Sequence, residues 1–379
     1  FDLGHFFMSE FNISQKKVSD LQKRYEVKTN ERELKNFLKS FAFLVLALMS
    51  VYHFYASGFG TIREILHRGI HISFVVGLVF IFYSWKKIDH SKKNFNTPFI
   101  DIILSILVVI SALYLPLLPP EVLAPRVGNP ENIDIIMGSF LIVLTLEAAR
   151  RSIGFTLPFI CVLFILFAIF GPYFPGALKH GGASWVGFVN HIYLTNQGIY
   201  GIAVGVMAQY VFLFILFGVL ATRIGLGQLF IDLAMVIAGK YSGGPAKVAI
   251  FSSAFLGTIS GSSIANTVTT GSLTIPAMKK VGYPPHFSGA VEATASTGGQ
   301  ITPPILGAAA FIMVEYLEVP LRDILAAALI PALLHYFGIF IMVHLEAKKL
   351  GLRGLTDEEV PKFLSVVKDN WLSLAPLIL

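Results

Sequence analysis

Apolar runs of membrane-spanning length recur along almost the whole chain, at about 37–56, 64–85, 98–115, 133–149, 154–174, 200–222, 287–317 and 323–345. A helix needs roughly 20 apolar residues to cross ~30 Å of hydrocarbon, so this spacing predicts an all-α polytopic membrane protein. Only 14% of the 379 residues are charged, and the mean hydropathy is +0.70, whereas soluble domains carry about a quarter charged residues. The single cysteine, Cys161, lies inside an apolar run, which excludes a disulfide framework or a zinc site and suits packing. No short apolar stretch with a small-residue cleavage site opens the chain, so the first run is expected to remain as a helix. The last residues, "NWLSLAPLIL", stop inside an apolar run, and the sequence reads as a piece of a longer chain.

The net charge of +6 does not call for nucleic acid, because the cations sort by membrane side. With a cytoplasmic N-terminus, 24 of the 29 Lys and Arg fall inside, leaving Arg63, Arg68, Arg126, Lys179 and Arg322 outside. That asymmetry requires the stretch from 245 to 280 to enter and leave on the same side. The expected location is a lipid membrane crossed several times, with lipid as the surrounding partner.

Residues 1–36 read as a cytoplasmic or interfacial segment, with 12–36 polar and helix-compatible. Residues 37–151 read as a four-helix membrane scaffold, in which Asp101 and Glu147 are expected as cytoplasmic-end anchors or packing partners and Arg150 and Arg151 as positive-inside anchors. From 152 onward comes a second block. Its aromatic-rich loop, with Trp185, His191, Tyr193 and Tyr200, suits the membrane interface and a short lateral helix. The stretch 225–240 is long enough for an interfacial arm and marginal as a span.

Between Pro245 and Lys280 the pattern is helix, interruption, helix. Arms at 246–259 and 264–279 would be about 21 and 24 Å long, so neither crosses the membrane alone, and a re-entrant hairpin resolves both length and charge. Its tip would be "SGSSIAN", with Ser260, Gly261, Ser262, Ser263 and Asn266. A second break follows in 287–317 at "STGGQITPP", where two glycines and two prolines interrupt the backbone ladder. Irregular backbone at membrane depth must be buried in protein or line a watery cavity. Two such breaks in succession are how secondary transporters build binding sites: exposed oxygens suit a hard cation, and helix N-termini suit an anion. Gly257, Ala265 and Thr269 read instead as close-packing positions. Glu292 either belongs to the site or sits near the cytoplasmic end.

The segments "GGPAKVA", "GTISGSSIANTVTTGSLTIPAMKKVGY", "AVEATASTGGQITPPILGAAAFIM" and "ALIPALLHYFGIF" resemble the large membrane subunit of tripartite ATP-independent periplasmic (TRAP) transporters. Most similar is the fused subgroup served by TAXI-type binding proteins. By that resemblance, 37–151 is small-subunit-like and 152–379 is the N-terminal half of the large permease, the first inverted repeat of an ion-transporter-like elevator fold. The resemblance implies import of a small organic acid delivered by a periplasmic TAXI-type binding protein and driven by a sodium gradient, with protons as the other coupling ion and no further cofactor. It places the ion at Ser260, Gly261, Ser262, Asn266, Gly298, Gly299, Thr302 and Pro303, and the substrate at Ser263, Thr270, Thr297 and Gln300, while 225–240 would link scaffold and mobile domain.

Two rival readings remain. An intramembrane serine hydrolase fails because "TISGSS" fits neither G-x-S-x-G nor G-x-S-G and no histidine lies in the broken segments, so no enzyme is expected. A binding-protein-independent ion-coupled carboxylate carrier or ion antiporter of related fold fits the tip chemistry; the four-helix block disfavours it.

Overall fold

The computed structural model describes residues 29–32, 34, 36–60, 63–88, 98–369, 371 and 373, so most of the N-terminal segment 1–36 lies outside it. Among the described residues six helices are long and apolar enough to cross a membrane, namely Phe37–Phe59, Glu64–Phe82, Phe99–Leu117, Asn132–Ile153, Ile202–Arg223 and Leu321–Lys349. Eight runs become six for two reasons. The run 287–317 is broken into two helices, and 154–174 yields only a 14-residue helix, Thr156–Ile169. That helix stops where Gly171 and Pro172 enter a 3₁₀ turn and the His180 ring lies against Gly171, with His180 Nε2 3.0 Å from the Phe167 carbonyl.

The first packing unit contains β1 (Thr29–Glu31), most of α1 (Asn36–Phe59), α2 (Glu64–Phe82), β2 (Tyr83–Ile88), α3 (Phe99–Leu117), α4 (Asn132–Ile153), α5 (Thr156–Ile169) and the short α6 (Trp185–Val189) with a π-helical turn at Asn190–Leu194. Its core is Phe80, Val108, Leu144 and Ala148, one layer from each of α2, α3 and α4. Gly69 allows α2 to approach α3, since a Cβ there would stand 2.7 Å from Pro116 Cγ. The faces of α1 carrying Phe43, Leu44, Val51 and Phe54 are exposed, as lipid-facing positions should be.

One feature differs from what the sequence predicts. Residues 29–31 are a strand paired antiparallel with β2, not helix, and Arg32 N–H donates to the Phe82 carbonyl at 2.7 Å. By packing, residues 62–201 belong to the first unit and Tyr52–Thr61 to the second. The fully buried Tyr193 and Tyr200 donate their hydroxyls to the Ser111 and Ala112 carbonyls at 2.7 and 2.8 Å, which fixes the lateral segment to α3.

The intramembrane charges of this unit are packing partners. Asp101 accepts from Arg32 and from Arg151 Nη1 at 2.8 Å, and Arg151 Nε reaches Glu147 at 2.7 Å. Removing one member of a buried pair strands the others, a loss of about 3–5 kcal/mol. Asp101→Ala should therefore lower the thermal midpoint of the detergent-solubilised full-length protein far more than Glu147→Ala, whose carboxylate is 20% exposed. Equal shifts in the two variants would contradict this.

The second unit contains the end of α1 from Tyr52, α7 (Ile202–Arg223, with a π-helical turn at Met207–Val211), α8 (Leu226–Ala238), α9 (Gly244–Ser260), α10 (Ser263–Lys280), α11 (Pro285–Thr297), α12 (Ala308–Leu317), α13 (Leu321–Lys349) and α14 (Phe363–Asp369). The 13-residue α8, the arm of the sequence reading, buries Leu226, Leu229 and Phe230 against Ala221, Leu256, Ile259 and Val366. Helices α9 and α10 form an antiparallel hairpin. Ala246 at its start and Met278 near its end share one apolar cluster with Tyr283 and Val343, so the chain returns to the end it left.

Candidate functional site

The hairpin turns in two residues. Gly261 ends α9 with φ 57°, a left-handed conformation that glycine adopts without a Cβ penalty. Ser262 then caps α10, its Oγ accepting from Ala265 N–H at 3.3 Å. The second break runs from a 3₁₀ turn at Gly298–Gln300 through Pro303 and Pro304 to the start of α12, and Gly307 N–H donates to the Gln300 carbonyl at 2.7 Å.

These breaks lie against each other. A Cβ on Gly257 would stand 2.6 Å from Gly299 Cα, and a Cβ on Gly261 would stand 2.7 Å from the Leu306 carbonyl oxygen. Gln300 Nε2 donates to Ser263 Oγ at 2.9 Å across the junction. Backbone approach this close requires a glycine on at least one side, which accords with close packing at Gly257. Thr269 is half-buried, its Cγ2 facing Gly227, whereas Ala265 is exposed.

Asn266 sits at the centre of this junction with no exposure. Its Nδ2 donates to the Ser253 carbonyl at 2.9 Å and lies 3.1 Å from where a Gly299 Cβ would be. Its Oδ1 is buried and has no hydrogen-bond partner; in the second unit no other described side-chain atom shares that condition. A buried acceptor left without a donor is costly and is ordinarily met by an ordered water or an ion. The surroundings are oxygen-rich: hydroxyls, peptide carbonyls and the carboxy-terminal ends of α9 and α11, which carry partial negative charge. A hard monovalent cation fits this donor set. The amino-terminal ends of α10 and α12 meet at the same junction, and their partial positive charge suits an anion.

The residues expected at an ion site separate by depth. Asn266, Gly298 and Gly299 are buried, while Ser260, Gly261, Ser262, Thr302 and Pro303 are half-buried around them. Thr302 Oγ1 donates to the Gly298 carbonyl at 2.7 Å and lies 3.2 Å from Tyr336 Oη, so α13 braces the break. Of the residues expected to meet substrate, Thr297 and Gln300 are exposed and Ser263 is half-buried beside Gln300. Thr270 stands apart from them: it is 1% exposed and bonded inward to Glu292 and to the Asn266 carbonyl.

Glu292, left open by the sequence, is fully buried and ringed by hydroxyls from Ser253, Thr270, Thr274 and Ser296. Ser253, Thr274 and Ser296 were not singled out from the sequence. The available signal was the i, i+4 spacing of Thr270 with Thr274 and of Glu292 with Ser296, which places each pair on one helix face.

Residues 140–379, more than half of the chain, match the family described as Tripartite ATP-independent periplasmic transporter, DctM component. The chain is 29% identical over 167 residues to the putative TRAP transporter large permease protein of Haemophilus influenzae, covering 44% of this chain and 39% of that protein. It is 30% identical over 172 residues to the isethionate TRAP transporter permease protein DctMQ of Oleidesulfovibrio alaskensis, covering 44% of this chain and 26% of that protein. With the C4-dicarboxylate TRAP transporter large permease protein DctM of Pseudomonas aeruginosa it shares 32% over 133 residues, 34% of this chain and 30% of that protein. The chain thus spans less than half the length of these relatives. Its six candidate spans, two facing backbone breaks and matched permease region agree, and the chain belongs to the DctM component family of tripartite ATP-independent periplasmic transporters, a family of multi-pass membrane permeases and not of enzymes.

Proposed function

We propose that the protein containing this chain imports a small organic acid, delivered by a periplasmic TAXI-type binding protein, and that a sodium gradient drives an elevator-like movement of the hairpin and broken-helix region. The observation that carries this reading is the buried, partnerless Asn266 Oδ1 at the meeting point of two helix breaks. Sodium would take Oδ1 with neighbouring carbonyl oxygens from the ends of α9 and α11, and the anion would lie on the exposed side near Ser263, Thr297 and Gln300, facing the starts of α10 and α12. Relatives named for isethionate and C4-dicarboxylates support an organic anion as the substrate class. Residues 37–151 would act as small-subunit-like scaffold, 152–379 as the first half of the permease, and α8 as the arm between fixed and moving parts. The N-terminus lies in the cytoplasm in this reading, which puts 24 of the 29 Lys and Arg inside.

Uptake into proteoliposomes of the full-length protein tests the scheme, using a panel of C4-dicarboxylates and sulfonates with an imposed sodium or proton gradient. Uptake should require both the sodium gradient and the cognate binding protein. Equal uptake without the binding protein would favour a binding-protein-independent carboxylate carrier, and uptake driven by protons alone would remove sodium from the mechanism.

A further inference from the structure

A buried cation sits at the opposite end of the hairpin from Asn266. Lys247, near the start of α9, is 2% exposed. Its ammonium has three hydrogens to give and no lone pair. One goes to His344 Nδ1 on α13 at 3.1 Å, which makes that nitrogen the acceptor and leaves the imidazole hydrogen on Nε2. Lys247 has no other polar partner among the described residues, and the rings of Phe340 and Tyr241 stand 5.3 and 5.8 Å from Nζ. Tyr241 is exposed and His344 half-buried, so the ammonium lies one side chain below the surface.

This cation has no counter-ion. The segment around 352–355 is hydrogen-bonded to 239–243, and the carboxylates it brings to this end are engaged elsewhere or exposed. Asp357 pairs with Lys240, Glu359 with Arg353 and Glu346 of α13 with Lys349, while Glu358 is exposed. The surroundings of Lys247 are positive instead. Lys348 follows His344 by one turn of α13 and is near enough for its charge to oppose that of Lys247. The amino-terminal end of α9 adds partial positive charge, and Lys279 and Lys280 close α10, whose Met278 shares a cluster with Ala246. Two ring faces and one hydrogen bond restore only part of the hydration that a buried ammonium loses. An anion restores the rest.

The flanks indicate which kind of anion. Ile341, Met342 and Leu345, beside His344 in the sequence, are exposed on a helix of spanning length. Acyl chains can lie along such a face while a phosphate group reaches the cations at its end. We propose that Lys247 and Lys348 form a binding site for a phosphate group, carried by a lipid or free in solution, with His344 holding the Lys247 ammonium in place. The two remaining N–H groups of Lys247 go to phosphate oxygens, and Tyr241 is the exposed ring that the entering group displaces. The site lies on α9 and α13 away from the tip and does not rest on the sodium reading.

Thermal unfolding of the delipidated full-length protein tests this in a phosphate-free maltoside detergent at constant ionic strength. The protein is titrated with inorganic phosphate or with phosphatidylglycerol, and the midpoint of the wild type should rise saturably with at least one of them. A rise with phosphatidylglycerol alone assigns the site to a lipid headgroup, and a rise with inorganic phosphate assigns it to the free anion as well. Lys247→Met, of similar length and uncharged, should weaken binding about tenfold or more. Lys348→Ala, at an exposed position, should weaken it about threefold and carries the test if Lys247→Met does not fold. No saturable rise in the wild type with either probe, or dissociation constants unchanged in the variants, would overturn the proposal.

Discussion

Asn266→Ala should remove the thermal stabilisation that sodium gives the full-length protein. The truncation deletes the buried Oδ1 proposed to face the ion and the Nδ2 that donates to the Ser253 carbonyl at 2.9 Å. Loss of that hydrogen bond costs about 1–3 kcal/mol whether or not sodium is present. The diagnostic effect is the second one. A ligand at a hundredfold excess over its Kd stabilises the folded state by about 2.7 kcal/mol, and the variant should lose most of this increment. Asn266→Asp keeps Oδ1 and adds a negative charge, so it should retain the sodium response. Thr302→Ala should reduce the response less, because Thr302 acts through the Gly298 carbonyl and Tyr336. If sodium stabilised wild type and Asn266→Ala equally, the ion could not lie where we place it.

Gly257→Val is the second substitution with a large expected effect. Its Cβ would stand 2.6 Å from Gly299 Cα, a contact with backbone that no side-chain rotation relieves. Overpacking usually costs about 1–3 kcal/mol, and a backbone clash belongs at or above the upper end. Separation of α9 from the Gly298–Gln300 turn would also move Gly299 away from Asn266, so stability and sodium response should fall together. Gly289 on α11 supplies the control, since a Cβ there meets nothing within 4 Å. Gly289→Ala should be neutral or gain up to about 1 kcal/mol from helix propensity. A Gly257→Val protein with an unchanged thermal midpoint and sodium response would show that the two breaks need not touch.

Hydropathy made the spans and both breaks legible. Charge balance alone demanded that the chain return between 245 and 280, and α9 and α10 do so, with helix ends within a few residues of those read from sequence. The β1 and β2 pairing was not legible, because three residues of "TNE" carry no alternating pattern and their partner strand lies some fifty residues away. Nor was the packing boundary at Gly201. It depends on Tyr193 and Tyr200 reaching α3 carbonyls, whereas their composition suggested an interfacial loop. At the site, glycine, serine and asparagine content marked both breaks, but contact between Gly257 and Gly299 is tertiary and has no local signature. Thr270, which the resemblance sets at the substrate, lies on the buried face of α10 and bonds to Glu292, a tertiary contact with no local signature.

Equilibrium binding of radioactive sodium to purified full-length wild type and Asn266→Ala, compared side by side, shows whether the ion is held where the hairpin tip meets the second break. Wild type should bind sodium saturably, and the variant should lose one equivalent or bind it at least tenfold more weakly. Equal stoichiometry and affinity in the two proteins would rule out that position for the ion.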